Sequence, residues 1–465
     1  MSKNNLPIVA AIDIGTTKIC AIIAKKNEYG KIEILGVGKA DSSGVMRGVI
    51  SNIDKTVFAI EEAVHEAERK AGVSVKNVYA GIAGQHIKSM RHKGYLMRDH
   101  NSPEISQRDV ERLVQDMQKM VLPPGDEIIH VLPQEFTIDG ESGIKDPIGM
   151  AGVKFEADFH VITGQMTAIR NIHRCIEKAG LNLVGLTLEP LASAAAVLNQ
   201  DELEAGIALV DIGGGTTDIA LFQEGVIRHT SVIPLGGNII TEDIKEGCMV
   251  MRDQAERLKV KFGMALTSEA QENAIVSIPG LRGREPKEIS LKNLAHIIQA
   301  RMEEILECVY LEIRKSGYEN KLIGGIVLTG GGARLKHLNF LCEYVTGLES
   351  RVGQPTEHLL NGRGEVNDPL YATGIGLAIR ALENPINASD EQRDETNNLH
   401  SSNNYNNHQT QHQTHQFVQQ NSPIETDNSY KEEELAEERE FQGSSWFDRF
   451  LKKSREWFEG DVRDF

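Results

Sequence analysis

Two stretches of the sequence, AAIDIGTTKICAII at residues 10–23 and ALVDIGGGTTDIAL at residues 208–221, repeat one pattern. Each opens on an apolar run, reaches Asp-Ile-Gly, passes two adjacent threonines and resumes as a second apolar run. Short apolar runs broken by glycine read as two strands joined by a tight turn. The chain therefore contains an internal duplication. Two homologous halves that face one another form a cleft, with their equivalent turns meeting across it.

Outward from the first copy, residues 8–14, 19–24 and 31–37 read as a three-stranded meander. A helix follows over 53–70, with Val57, Ile60, Ala63, Val64 and Ala67 at helical spacing. Residues 80–163 alternate short strands with one helix, 106–120, whose Ser106 can cap it; they form an inserted α+β module. From Gln165 a helix, a strand and a helix lead to the second copy.

A chain of 465 residues exceeds what one hydrophobic core ordinarily serves, so two or three domains are expected. The net charge of −17 is uneven: residues 383–442 carry 13 acidic and 3 basic side chains, a net −10. No basic stripe matches the spacing of phosphates along a nucleic acid, which makes nucleic acid a poor partner. The five cysteines, at 20, 175, 248, 308 and 342, are odd in number and widely spaced, as free thiols in a reducing compartment would be. The apolar runs at 6–12 and 191–198 are too short for a signal segment or a span, so any membrane contact is expected to be peripheral. From about Glu383 the composition turns to Asn, Gln, His and Ser, which cannot bury enough apolar surface to offset its ordering entropy; 383–442 reads as a disordered linker.

The first turn, Asp13-Ile14-Gly15-Thr16-Thr17-Lys18, puts a carboxylate at a strand end, then a permissive glycine, two hydroxyls and an ammonium, a set that can hold a phosphate. Alone it reads first as a hairpin turn without a ligand. In the second turn three glycines, Gly213, Gly214 and Gly215, stand together before Thr216 and Thr217, where lost packing and backbone entropy weaken a sheet. A closely approaching anion explains what structure alone does not. A third cluster, Gly330, Gly331, Gly332 and Ala333, follows the apolar run 326–329 and is expected to open a helix, a second setting that suits phosphates and nucleotide edges.

The last segment is amphipathic on its own terms. At about 100° per residue, Trp446, Phe447, Phe450, Leu451, Trp457 and Phe458 fall within about 140° of arc, and Arg449, Lys452, Lys453 and Arg455 flank it. Aromatic residues bordered by basic ones mark a helix lying in a lipid interface. A core-docking helix shares the periodicity, but the aromatic and basic composition at the end of a long tether favours the membrane.

The three glycine clusters in this order resemble the superfamily of actin, DnaK-type chaperones and sugar kinases. More narrowly, VKNVYAGIAGQHIKS (75–89), DPIGMAGVKFEADFHVITG (146–164), LEPLASAAAVL (188–198) and AERLKVKFG (255–263) resemble the FtsA family of bacterial cell-division proteins, across residues 7–382 and the terminal helix. That resemblance implies an α/β, actin-like two-domain fold of duplicated ribonuclease-H-like halves, with an inserted α+β subdomain in the first domain and a disordered C-terminal tail. Residues 1–80 and 164–203, completed by 366–382, would form the first domain and 81–163 the insert. Residues 204–365 would form the second domain, including a helical subdomain at 236–322, and 443–465 the membrane-targeting helix.

The same resemblance implies ATP with Mg²⁺ as cofactor. It assigns Asp13, Gly15, Thr16, Thr17 and Lys18 to one phosphate loop and Asp211 with Gly213 to Thr217 to the other, Asp13 and Asp211 reaching the Mg²⁺ through water. Glu256 and Lys259 match the family's ribose and adenine contacts, with Gly330 to Ala333 opposite; a surface ion pair is the plain alternative. Glu189 matches the residue that orients the attacking water in DnaK-like members. Arg301, beginning a helix, matches a contact to the C-terminal peptide of the tubulin-like protein FtsZ; a cap on a solvated helix face is the alternative. The implied protein polymerises on the cytoplasmic face of the membrane, tethers the FtsZ ring there, helps to recruit later division proteins and hydrolyses ATP weakly at most. A small-molecule phosphotransferase of the superfamily would have no use for the lipid-binding tail. A DnaK-type chaperone would need a β-rich peptide-binding domain after residue 382.

Overall fold

The computed structural model describes residues 7–99, 104–280, 285–355, 359–360 and 365–383. The opening meander forms as β1 (Ile8–Ile14), β2 (Lys18–Lys26) and β3 (Ile32–Asp41). A short ribbon, β4 (Val45–Met46) with β5 (Val49–Ile50), leads into α1 (Ile53–Ala71). Asn52 caps α1 by accepting the Lys55 N–H at 2.9 Å, and Gly72 ends it with φ 69°. The buried stripe Thr56, Ala59, Ile60, Ala63, Val64 and Ala67 lies on β3 and β2, with Val57 half-buried at its margin. The helix sits close because β3 offers glycines beneath it: a Cβ on Gly36 or Gly38 would run into the carbonyl of Ala67 or Ala63.

Next, β6 (Asn77–Ile82) joins β1 in parallel. The insert follows: β7 (Lys88–Met97), α2 (Gln107–Gln118), β8 (Asp126–Ile138), β9 (Glu141–Ile144) and β10 (Lys154–Gln165). Its antiparallel sheet runs β7-β10-β8-β9 around a core of its own that includes Leu96, Leu113, Phe136, Phe155 and Phe159. Three of the strands are 10 to 13 residues long, not short as the alternation of residue types suggests. At the head of α2 both the N–H and the Oγ of Ser106 donate to Asp109 at 2.8 Å.

The first half resumes with α3 (Met166–Lys178) and β11 (Asn182–Leu188), which closes a sheet of order β11-β6-β1-β2-β3. Two helices, α4 (Glu189–Val197) and α5 (Gln200–Ala205), lead to β12 (Ile207–Ile212), β13 (Thr217–Gln223) and β14 (Val226–Ile233). After them come α6 (Gly237–Cys248), α7 (Arg252–Phe262), the ribbon β15 (Ile275–Ile278) with β16 (Lys287–Ser290), and α8 (Leu291–Ser316). The second sheet is completed by β17 (Ile326–Thr329) and, after α9 (Leu338–Thr346), β18 (Ser350–Val352). Its order is β14-β13-β12-β17-β18.

The two sheets thus share one topology, an antiparallel meander extended by two parallel strands, and this is the duplicated actin-like fold. Their equivalent turns match in register: Ile14 pairs with Ile19 as Ile212 pairs with Thr217, each pair closing four residues. The chain crosses from first half to second through α4, and α10 (Ala372–Glu383) returns to pack on β1, β2 and α4. One continuous core joins Val9, Ala11 and Ile22 of the first sheet to Leu209, Ala220 and Val327 of the second by way of these two helices. The insert also touches the second half, through Ser89 Oγ to the Thr230 carbonyl at 3.4 Å and Arg91 Nη2 to Tyr318 Oη at 3.3 Å. None of the five cysteines is in a disulfide, and among the described residues no helix is long and apolar enough to cross a membrane.

Candidate functional site

The two duplicated turns lie against each other. A Cβ added to Gly214 would collide with the Thr17 side chain, and one added to Gly215 would lie 2.8 Å from Thr16 Oγ1. Only glycine lets the second turn come this near the first. The second turn is held from below by the head of α6, where the Gly237 and Asn238 N–H groups donate to the Gly213 and Gly214 carbonyls at 2.9 and 2.8 Å. Gly236 is equally constrained, since a Cβ there would meet those same backbone atoms.

Strand ends deliver the acidic groups. Asp13 at the end of β1 is buried and receives Lys18 Nζ at 3.5 Å. Lys18 also lies 5.1 Å from the centre of the buried Tyr371 ring. Burial alone would lower the Lys18 ammonium, but chiefly Asp13 outweighs it and holds the group above its usual value. Asp211, at the end of β12, is raised mainly by burial, with Asp13 adding to it and Ser193 and Thr373 opposing. Asp218 pairs with Asp211 across the hairpin; burial, then the Asp211 charge, pushes it up to about 7. Its Oδ2 accepts from Thr216 Oγ1 at 3.1 Å, while its buried Oδ1 has no partner among the described residues. Glu189 heads α4 and is raised well above its usual value by desolvation of the carboxyl and then by Asp13, Asp218 and Asp211. Asp13, Asp211, Asp218 and Glu189 thus form one buried, electrostatically linked group that includes the Lys18 ammonium.

The third glycine cluster closes on the same place. Gly330 has φ 83°, and a Cβ there would strike Asp211 Oδ1; a Cβ on Gly332 would strike the Ile212 side chain. The helix expected to open at this cluster is only a 3₁₀ turn over Gly331–Arg334, and α9 starts at Leu338. The tight turn holds Gly330 and Gly332 against Asp211 and Ile212 at the end of β12. A cavity of about 220 Å³ is bordered by Thr17, Gly213, Gly214, Glu256, Lys259 and Gly331. A larger one, about 880 Å³, is bordered by Thr16, Gly215 and Glu256 and extends to Arg47 and Arg252. Glu256 and Lys259 pair with each other at 2.8 Å, and Lys259 Nζ also donates to the Gly237 carbonyl at 2.8 Å and to Thr241 Oγ1 at 2.7 Å. The pair therefore lines a cavity while bracing α7 to the head of α6, and is not a free surface pair.

Arg301 is elsewhere. It does not begin a helix: α8 starts at Leu291, since Ser290 caps it there. The guanidinium clamps Asp243 of α6 with Nε to Oδ2 at 2.6 Å and Nη2 to Oδ1 at 3.0 Å, and also contacts Glu304. Trp446, Phe447, Phe450, Leu451, Trp457 and Phe458 lie outside the described residues.

Several residues of the cleft are not evident from the motifs. Ser193 donates to Asp211 Oδ2 at 2.8 Å and Thr373 donates to the same oxygen at 3.2 Å. A buried serine among the apolar residues of α4 is a signal that the sequence does carry. Thr373 comes from the opposite end of the chain and carries none.

Comparison with known proteins bears on the family and the fold. The family description "Cell division protein FtsA" matches residues 208–376, and "SHS2 domain inserted in FTSA" matches residues 84–163. The cell division protein FtsA of Pseudomonas aeruginosa is 38% identical over 81% of this chain and 89% of its own length. That of Bacillus subtilis is 38% identical over 82% and 85%, and that of Escherichia coli 34% over 83% and 92%. Among solved structures, the PilM-PilN type IV pilus biogenesis complex aligns with a TM-score of 0.58 at 17% identity, over 81% of this chain and 99% of that one, a likeness of fold alone. Identity of this extent over both chains, with the inserted module in its place, makes the chain a member of the FtsA family of bacterial cell-division proteins.

Proposed function

We propose that the protein binds ATP with Mg²⁺ in the cleft between its halves, polymerises on the cytoplasmic face of the membrane, and tethers FtsZ there. The observation that carries the nucleotide reading is the contact of the two glycine turns beside a buried, mostly acidic group of side chains. Packing gives no reason to bury Asp13, Asp211 and Glu189 near one ammonium with Asp218 beside them, and backbone amides at glycine turns are suited to phosphate. Gly15, Thr16, Thr17 and Lys18 would face it from one side and Gly213 to Thr217 from the other. Glu256, Lys259 and Gly330 to Ala333 would surround the base and ribose.

The donor set fits Mg²⁺. It is all oxygen, and Asp211 Oδ1 accepts neither of the two hydroxyls that bind Oδ2. Asp13 and Asp211 would hold the ion through its waters, which Mg²⁺ gives up reluctantly. When bound, the ion supplies positive charge to the phosphate oxygens. Glu189, with its raised carboxyl, would orient an attacking water, and the proposed rate is slow; the protein acts chiefly as an adaptor.

Membrane attachment rests on the aromatic arc of Trp446, Phe447, Phe450, Leu451, Trp457 and Phe458. Burying part of those side chains gives about 5 to 10 kcal/mol, which the cost of ordering roughly a dozen residues largely offsets. A single helix then binds marginally, and a row of them on a polymer binds firmly by raised effective concentration. The FtsZ peptide would dock on the helical part at 236–322. There Arg301 is already engaged with Asp243, so Arg301→Glu acts both by losing a cation and by setting a carboxylate against Asp243 and Glu304. Other division proteins would join this assembly.

Co-sedimentation with liposomes tests the whole reading. FtsZ should pellet with vesicles only when this protein and ATP are present, and Trp457→Glu should leave both in the supernatant. FtsZ that pellets equally with the Trp457→Glu variant overturns it.

A further inference from the structure

Asp211 belongs to the second half, yet its hydroxyl partners sit on the two helices that join the halves. Ser193 lies in α4, on the outward crossing, and Thr373 in α10, on the return. Their hydroxyls are 3.1 Å apart and both reach Oδ2 of Asp211, at 2.8 and 3.2 Å. A hydroxyl carries one proton, so both serve the carboxylate only if neither donates to the other.

The usual habit of a helical serine or threonine is to bond the carbonyl one turn back. Here the recorded bonds go to a carboxylate of the other sheet instead. Ser193 is wholly buried, and a hydroxyl buried without a partner costs roughly 1–3 kcal/mol, so Asp211 is the reason it is tolerated. The two helices meet at backbone distance beside this pair, one residue before Ser193 and three after Thr373: a Cβ on Gly376 would collide with the Ala192 carbonyl. Ser193 and Thr373 are therefore held as one unit. Oδ1 of Asp211, the oxygen against Gly330, accepts from neither hydroxyl.

We propose that Ser193 and Thr373 are positioning residues of the nucleotide cleft. They fix Asp211 through one oxygen so that the other faces the hydrated magnesium of a bound nucleotide, and they tie that aspartate to the pair of helices that join the halves. The inference rests on the nucleotide reading given above. It adds that the magnesium-dependent part of nucleotide affinity is set by two hydroxyls that touch neither ligand.

The test uses the full chain and a fluorescent ATP analogue, titrated once in Mg²⁺ and once in EDTA. For Ser193→Ala and for Thr373→Val, affinity in Mg²⁺ should fall about tenfold, the worth of a hydrogen bond to a charged group. Affinity in EDTA should match the wild type, and Thr373→Ser should restore the Mg²⁺ value. Hydrogen exchange gives a second readout: Mg²⁺-nucleotide should slow amide exchange in α10 of the wild type and fail to do so in Ser193→Ala. Equal losses in Mg²⁺ and EDTA, or no loss at all, overturn the proposal. Thr373→Val keeps the side-chain shape, so it decides the matter even if Ser193→Ala does not fold. If the wild type itself fails to bind the analogue, the nucleotide reading falls, and the inference falls with it. If the wild type binds and the variants bind equally, only the inference falls.

Discussion

Gly81 lies directly under Glu189: a Cβ at position 81 would be 2.8 Å from Glu189 Cγ and 3.0 Å from its Oε1. The glycine at the end of β6 is thus what lets the head of α4 carry a long acidic side chain into the cleft. Gly81→Ala should destabilise the protein by about 1–3 kcal/mol through overpacking. The double variant Gly81→Ala with Glu189→Ala should recover most of that loss, because the clash partner has gone. Urea unfolding of the four proteins of the cycle measures it; a coupling near zero would show that the two side chains do not compete for space.

Glu189 also makes a pH dependence. Its carboxyl is raised in the folded state, so above the ordinary carboxylate range the folded protein binds the proton that the unfolded chain has released. Stability therefore falls as pH rises from about 4.5 through the raised value, and Asp218, at about 7, acts in the same direction. Glu189→Gln removes its share. The variant should gain stability over the wild type at pH 8 and gain less at pH 5, as thermal unfolding at the two values would reveal. A gain independent of pH would mean that the carboxyl stays charged throughout.

Gly214→Val and Gly215→Val should each abolish nucleotide binding, lowering affinity at least about a hundredfold. The structure refines the reason: the added side chains meet Thr17 and Thr16 of the opposite turn, so the turns are driven apart and the backbone cradle is lost. Gly214→Ala should bind more weakly than the wild type, and adding Thr17→Ser, which removes the methyl 2.3 Å from the added Cβ and keeps the hydroxyl, should restore part of the affinity. Binding of a fluorescent ATP analogue is the measurement, and unchanged affinity in Gly214→Val would remove the phosphate-loop reading.

Two buried histidines set an acid limit. His160 is pushed down to about 4 by burial and then by His229 and Arg91 beside it, and faces Thr230 Oγ1 at 3.4 Å. His130 is pushed down to about 4 by burial and then by Arg380, and its Nε2 accepts the Leu188 N–H at 3.0 Å, which a protonated ring cannot do. Both values lie below that of the unfolded chain, so their contribution is complete above about pH 6.5 and is lost between there and pH 4. The loss should be about 3 kcal/mol for each. His160→Asn should flatten part of that acid slope in denaturant titrations from pH 7 to 4.5, and a slope equal to the wild type would place the protonation elsewhere.

The sequence by itself determined the duplication, because two Asp-Ile-Gly turns between apolar runs need only local pattern to be seen. It also determined the insert and the family, through stretches such as VKNVYAGIAGQHIKS, and it marked Asp13, Asp211 and the glycines as one constellation. What it could not determine is which side chains from distant elements converge. Ser193 and Thr373 are 180 residues apart and meet on Asp211 only after α4 and α10 have crossed. Gly81 becomes a requirement only once Glu189 is placed over it. Arg301 read as the start of a helix because composition does not reveal that Ser290 caps α8, nor that Asp243 of α6 lies within reach of the guanidinium. Local patterns follow from the periodicity of strands and helices, which acts over a few residues. Burial, close approach and shared hydrogen bonds depend on which faces pack together, and only the tertiary structure decides that.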